Sequence, residues 1–156
     1  MRKYLALPLL VGLLISCSSG SEPSENRSEP SSEPAPAVED DGKGIGEYTH
    51  VELHDQLDKT MVARGQEIYD LKCSACHKLT DQRLVGPGFR GVTERRKPEW
   101  ILNMVTNVDV MLEKDEAAQE LLKECLVRMP NQNLSAEDAR SMLEFFLSND
   151  RQAAKN

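Results

Sequence analysis

Cys73-Ser74-Ala75-Cys76-His77 is the stretch on which the rest of this 156-residue chain depends. Two thiols separated by two residues, with a histidine directly after them, form the attachment signature of c-type haem. The chemistry requires that spacing. Each thiol adds across one vinyl group of a porphyrin, and residues three apart on a helical turn face the same way. The imidazole of His77 then reaches the iron as the proximal ligand. Cys73 and Cys76 are therefore the expected covalent haem attachment points and His77 an expected iron ligand. Two other uses of the pair stay open. A zinc site would want a second ligand pair at knuckle spacing, but Cys17 and Cys125 stand alone. A thiol–disulfide pair would want a βαβ context, and none is visible.

Working outward toward the N-terminus, residues 1–16 read as a signal peptide. Arg2 and Lys3 give the positive end, and the apolar run Leu5 to Ile15 is too short to span a bilayer. The run ends in Leu14-Ile15-Ser16-Cys17, which resembles the lipobox of bacterial lipoproteins. That resemblance implies cleavage before Cys17, acyl chains on its thiol and new amino group, and a lipid membrane as partner. Ordinary secretory cleavage, with Cys17 a bystander, is the alternative. Residues 17–47 follow as a disordered Ser/Glu/Pro tether with few residues able to enter a core. Residues 18–47 hold eight acids against two bases, so most of the chain's net charge of −7 belongs to them. No nucleic-acid partner is expected.

Residues 48–156 are the expected folded domain, with helical periodicity and poor strand signals. Met61, Gly65, Ile68 and Tyr69 share one face of a helix expected over residues 60–72, where Gly65 points to a close helix approach. The glycines around Pro87 in Gly86-Pro87-Gly88 fix a loop. Pro98 stands at a first helical position, ahead of an apolar stripe of Trp100, Ile101, Met104 and Val105. A further helix is expected over residues 114–127, with Cys125 a small buried apolar residue on its stripe. Ser135, with Asp138 three residues on, caps the last helix, where Ala139, Met142, Leu143, Phe146 and Leu147 repeat at helical spacing. His50 and His54 are expected in solvent. The chain is all-α on this reading.

With these residues in place, the stretch from Thr60 to Asn149 resembles the class I c-type cytochromes. The resemblance implies a cytochrome c fold with helices packed around one covalently attached haem c. It implies that Gly65 and Tyr69 of the first helix cross Phe146 and Leu143 of the last. It also implies that Pro87 packs against the proximal histidine and that the second axial ligand is a methionine preceding the last helix. Met129, followed by Pro130, matches that position. Met111 is the rival, because residues 107–112 look irregular. Met104 and Met142 read as core, and Met61 precedes the motif. The residues Asp115 to Glu124 exceed the smallest members of the family.

The function expected from the resemblance is one-electron transfer through a His/Met-ligated haem c, without enzymatic activity. The carrier would work outside the cytoplasm of a bacterial cell, on the periplasmic side, held to a membrane by Cys17. Membrane-associated respiratory proteins, such as a reductase or oxidase, would be its redox partners. The order of residues 91–100 and 129–134 resembles cytochromes that accompany respiratory reductases such as nitrous oxide reductase. A haem-based ligand sensor or peroxidase-like enzyme with a labile sixth ligand is the alternative, and a thiol–disulfide protein using Cys73 and Cys76 another. Between Lys72 and Lys97 seven bases face two acids, which makes that stretch the expected docking rim for an acidic partner.

Overall fold

The computed structural model describes residues 40–125 and 127–155. The signal peptide, Cys17 and residues 18–39 of the expected tether lie outside the described residues. Among those described, helices are the only extended elements, and the one β feature is an isolated antiparallel bridge between His77 and Arg83. No helix among them is long and apolar enough to cross a membrane.

Helix α1, Lys59–Ile68, begins where the Asp58 carboxylate accepts from Thr60 N and Met61 N at 2.8 and 3.1 Å, taking up two amide donors that a helix start leaves unpaired. It does not run on to Lys72 as α-helix. Residues Tyr69–Cys73 form a π-helical turn, which leads directly into the motif. Helix α2, Val92–Arg95, is one short turn, and α3, Pro98–Thr106, starts on its proline as expected.

Residues 107–112 are not irregular. Helix α4, Val108–Lys114, takes them in, burying Val108, Met111 and Leu112. Helix α5, Glu116–Cys125, begins later than expected because Asp115 breaks the chain in an extended conformation. That carboxylate is buried, accepting from Trp100 Nε1 at 3.0 Å and Ala118 N at 2.8 Å. Helix α6, Ala136–Ala153, is capped by Ser135, whose Oγ accepts from Asp138 N at 3.1 Å.

The principal helix contact is α1 against α6. A Cβ on Gly65 would overlap the Ser141 carbonyl oxygen and come within 2.6 Å of Phe145 Cβ, so the approach depends on the missing side chain. The aromatic partner of Tyr69 is Phe145, not the expected Phe146. Tyr69 packs on Phe145, ring centroids 5.6 Å apart, whereas Phe146 turns to the other side of α6 and packs on Phe89 at 4.7 Å. The two are neighbours on a helix that is buried on more than one face, so both fit the same apolar pattern.

The expected tether also ends earlier than residue 47. Residues 40–51 lie along α3 as a strap, fastened by the fully buried Asn103. Its Nδ2 donates to the carbonyls of Lys43 and Tyr48 at 3.0 and 2.9 Å, and its Oδ1 accepts from Tyr48 N at 3.1 Å. Asn107 Nδ2 donates to Ile45 O at 3.0 Å, and Glu99 Oε1 accepts from Val51 N at 2.9 Å. The strap continues to α6, where buried Glu144 accepts from Asp58 N.

Candidate haem site

The π-helical turn and α2–α3 form one side of a cavity of about 430 Å³, and α5 with the Met129 loop forms the other. Cys73, Cys76 and His77 line it together, as the motif requires. Neither cysteine is in a disulfide, which leaves both for thioether bonds. Before attachment, burial pushes the Cys73 thiol up to about 11, against a smaller lowering by Lys72, so the unattached thiol is protonated at neutral pH.

His77 is held from three directions. Its Nδ1 hydrogen-bonds the Pro87 carbonyl at 2.8 Å, which places the proton on Nδ1 and leaves Nε2 as the nitrogen free for a metal. The Phe89 ring stacks on the imidazole, centroids 4.5 Å apart and 9° from parallel. Gly86 closes over the ring, where a Cβ would stand 2.8 Å from Nδ1 and 2.9 Å from Nε2. Burial lowers the imidazole pKa, with the Pro87 hydrogen bond opposing, and favours the neutral form that a metal needs. Pro87 therefore acts on His77 through its carbonyl. Tyr69, buried against Phe145, donates its hydroxyl to His77 O at 2.8 Å, and burial raises its pKa. Among the described residues no three His, Cys, Asp or Glu side chains gather as a metal site, so the zinc alternative finds no ligand set.

Met129 lines the same cavity from its irregular loop, as do Met104 of α3 and Met142 of α6. Met111 does not. It lies fully buried beneath the strap, where its sulfur accepts from Ile45 N at 3.0 Å. Cys125 is also not the buried residue expected. It is half-buried on the cavity wall, its sulfur accepting from Arg83 Nη1 at 3.2 Å. His50 and His54 are exposed.

The lining fits a haem. It is mostly apolar, from Ile101, Leu121, Leu122 and Phe146 among others, and its charged members are all bases: Lys72, Arg95, Arg96 and Arg128. An apolar macrocycle bearing carboxylates matches both features. Arg96 lies over the Trp100 ring, 4.6 Å from its centroid. Arg95, itself exposed, also donates to the carbonyls of Arg90 and Gly88. Asp150, buried on α6, fastens the α2 turn by accepting from Gly91 N at 2.7 Å and from Thr93 N and Oγ1 at 3.0 and 2.8 Å. Neither Phe89 nor Asp150 was legible as part of the site from the sequence. The Gly-Phe pair after Gly86-Pro87 was the available signal for the first.

Comparison with known proteins agrees with this geometry. The cytochrome c family model matches residues 62–150. The solved cytochrome c of Rhodothermus marinus is 33% identical, covering 69% of this chain and 91% of its own, with a TM-score of 0.66. An engineered form of that cytochrome, solved bound to a carbene intermediate, is 32% identical, covering 68% of this chain and 91% of its own, with a TM-score of 0.62. No curated protein gives a match. The chain belongs to the cytochrome c family: it is a haem-based electron carrier of the cytochrome c fold, with one covalently bound haem c.

Proposed function

We propose that this cytochrome passes single electrons between membrane-associated respiratory proteins outside the cytoplasm of a bacterial cell. His77 and Met129 are the axial ligands in this reading, and Cys17 carries an acyl anchor. Haem iron supplies a reversible ferric–ferrous couple that takes up one electron at a time. His77 offers a neutral Nε2, oriented by the Pro87 carbonyl and the Phe89 ring. Met129 offers a thioether, a soft ligand that favours the reduced metal and raises the potential. Apolar side chains from α3, α5 and α6 keep water from the walls. With His77 and Met129 both holding the iron, no ligand site would be left for oxygen or peroxide, and the protein would serve as a carrier rather than an enzyme.

The observation that carries the reading is the shared cavity. Met129 lies on its irregular loop and lines the cavity with His77, whereas the rival Met111 is committed to the core. At the mouth, Val85 and Val127 are 39% and 56% exposed and stand with Lys72 and Arg128 on the cavity lining. An apolar contact bordered by bases suits brief docking to an acidic partner. The test is the visible spectrum of protein matured in cells that attach haem c, compared with Met129→Ala. In the wild type the ferric protein should show the weak red band of sulfur–iron ligation, and the reduced α and β bands should survive acid–acetone extraction. Met129→Ala should lose the red band and lower the midpoint potential while the haem stays attached through Cys73 and Cys76. An unchanged band in that variant refutes the ligation.

A further inference from the structure

The wall that carries Met129 combines partly buried apolar side chains, among them Leu121, Leu122 and Leu134, with charged side chains that reach it from other elements. Helix α5 fully buries only Ala118. Among the described residues, two side chains link the loop of residues 128–134 to other elements by hydrogen bonds. Lys72 Nζ donates to Gln132 O at 2.9 Å, and Arg128 Nη2 donates to Asp109 O and Oδ1 at 3.2 and 3.3 Å. The end of α5 is held by Arg83, whose Nη2 pairs with Glu124 at 2.5 Å and whose Nη1 donates to Cys125 Sγ at 3.2 Å.

Where Lys72 and Arg83 originate is the informative point. Lys72 directly precedes Cys73, and the Arg83 backbone is bridged antiparallel to that of His77. Both cations therefore reach from in or beside the attachment motif to the segment that carries Met129, Lys72 to Gln132 and Arg83 to Glu124 and Cys125, partners that flank Met129 in sequence.

We infer that Lys72 and Arg83 are positioning residues for the sixth ligand: they clasp the Met129 wall to the haem-attachment motif and set how often that wall opens. The inference rests on Met129 being the ligand. A neutral thioether on an irregular loop stays in place only as well as its loop does. The exposed Arg83–Glu124 pair is weak and screened by salt, and Lys72 adds a charge-assisted hydrogen bond to the Gln132 carbonyl, so each clasp changes the closed-to-open ratio by about two- to five-fold. Opening is therefore sensitive to ionic strength, a property that a wall held by apolar burial would lack.

The experiment titrates imidazole into the ferric holoprotein. Imidazole binds only when the sixth position is free, so its apparent affinity follows the open fraction. Lys72→Met and Arg83→Leu should each bind imidazole about two- to five-fold more tightly, and the double variant about ten-fold. Lys72→Arg and Arg83→Lys should stay near the wild type, which a loss of packing alone would not predict. Raising the salt concentration should tighten binding to the wild type more than to the double variant, which keeps the Arg128–Asp109 pair. Met129→Ala sets the fully open limit. If it tightens imidazole binding while the clasp variants match the wild type, the clasps are refuted and the ligand assignment stands. If Met129→Ala changes neither imidazole affinity nor the red ferric band, the ligand assignment fails and the clasps with it. Should a clasp variant fail to retain haem, the salt titration of the wild type decides: an affinity indifferent to salt overturns the inference.

Discussion

Replacing Gly86 by alanine places a methyl group on the proximal imidazole. Gly86 has an ordinary negative-φ backbone, so the backbone tolerates a side chain and only the ring objects. The new Cβ would stand 2.8 Å from His77 Nδ1 and 2.9 Å from Nε2, against about 3.5–4.0 Å for an ordinary contact. The ring must retreat by roughly 1 Å, and Phe89, stacked 4.5 Å away, leaves it little room. A displacement of that size pulls the 2.8 Å bond from Nδ1 to Pro87 O beyond the working range of about 2.7–3.2 Å. Overpacking of a filled site costs about 1–3 kcal/mol, and the lost hydrogen bond about 1 kcal/mol more. Gly86→Ala should therefore destabilise the holoprotein by about 2–4 kcal/mol. For a domain of this size that lowers the thermal midpoint by about 8 °C or more. Loss of the Nδ1 bond also makes the ligand less basic and so raises the midpoint potential. Thermal unfolding followed at the haem absorption, together with a redox titration, tests both. A variant that melts with the wild type at an unchanged potential would show that the Gly86 contact does not hold the ring.

Three further outcomes are expected. Asp150→Ala strips one buried acceptor from Gly91 N, Thr93 N and Thr93 Oγ1 and should cost about 2–3 kcal/mol in denaturant unfolding; a loss under half that would move the anchor of α2 elsewhere. Cys17→Ser should release the protein from the membrane fraction or leave its signal uncleaved, and a variant processed and retained as before rules out the acyl anchor. Electron transfer to the physiological partner should slow as ionic strength rises, with Arg95→Glu and Arg96→Glu, both on the cavity lining, flattening that dependence at a nearly unchanged midpoint potential. A rate that ignores salt, or rises with it, removes the basic rim as the docking face.

The parts of this fold legible in the sequence are those whose physics is local. Cys73, Cys76 and His77 lie on neighbouring turns, Pro98 fixes its own φ, and Ser135 reaches an amide three residues away. Gly65 was legible because its cost in a helix needs a neighbour to explain it, and Ser141 with Phe145 supplies one. What escaped depends on distant partners. The strap has the composition of the tether, and the anchor that orders it, Asn103, lies 55 residues from Tyr48. Met111 reads as equally fit for a loop or a core until Ile45 N finds its sulfur. Phe145 and Phe146 are alike in the pattern, and only the placement of α1 and the cavity tells them apart. The π-helical turn leaves no mark on the apolar spacing, since it shifts backbone bonds while keeping Tyr69 buried.

The seating of α1 on α6 also sets a schedule. The helix that leads into the motif finds its main support in the last described helix, Ala136–Ala153. A chain delivered from its N-terminus, at the ribosome or through a membrane pore, therefore presents Cys73, Cys76 and His77 long before the element that completes their support arrives. During that interval the two thiols are open to whatever attaches the haem. Until α6 arrives, the face of α1 that carries Gly65 and Tyr69 lacks its main partner, so the order of residues along the chain limits when the site can be completed.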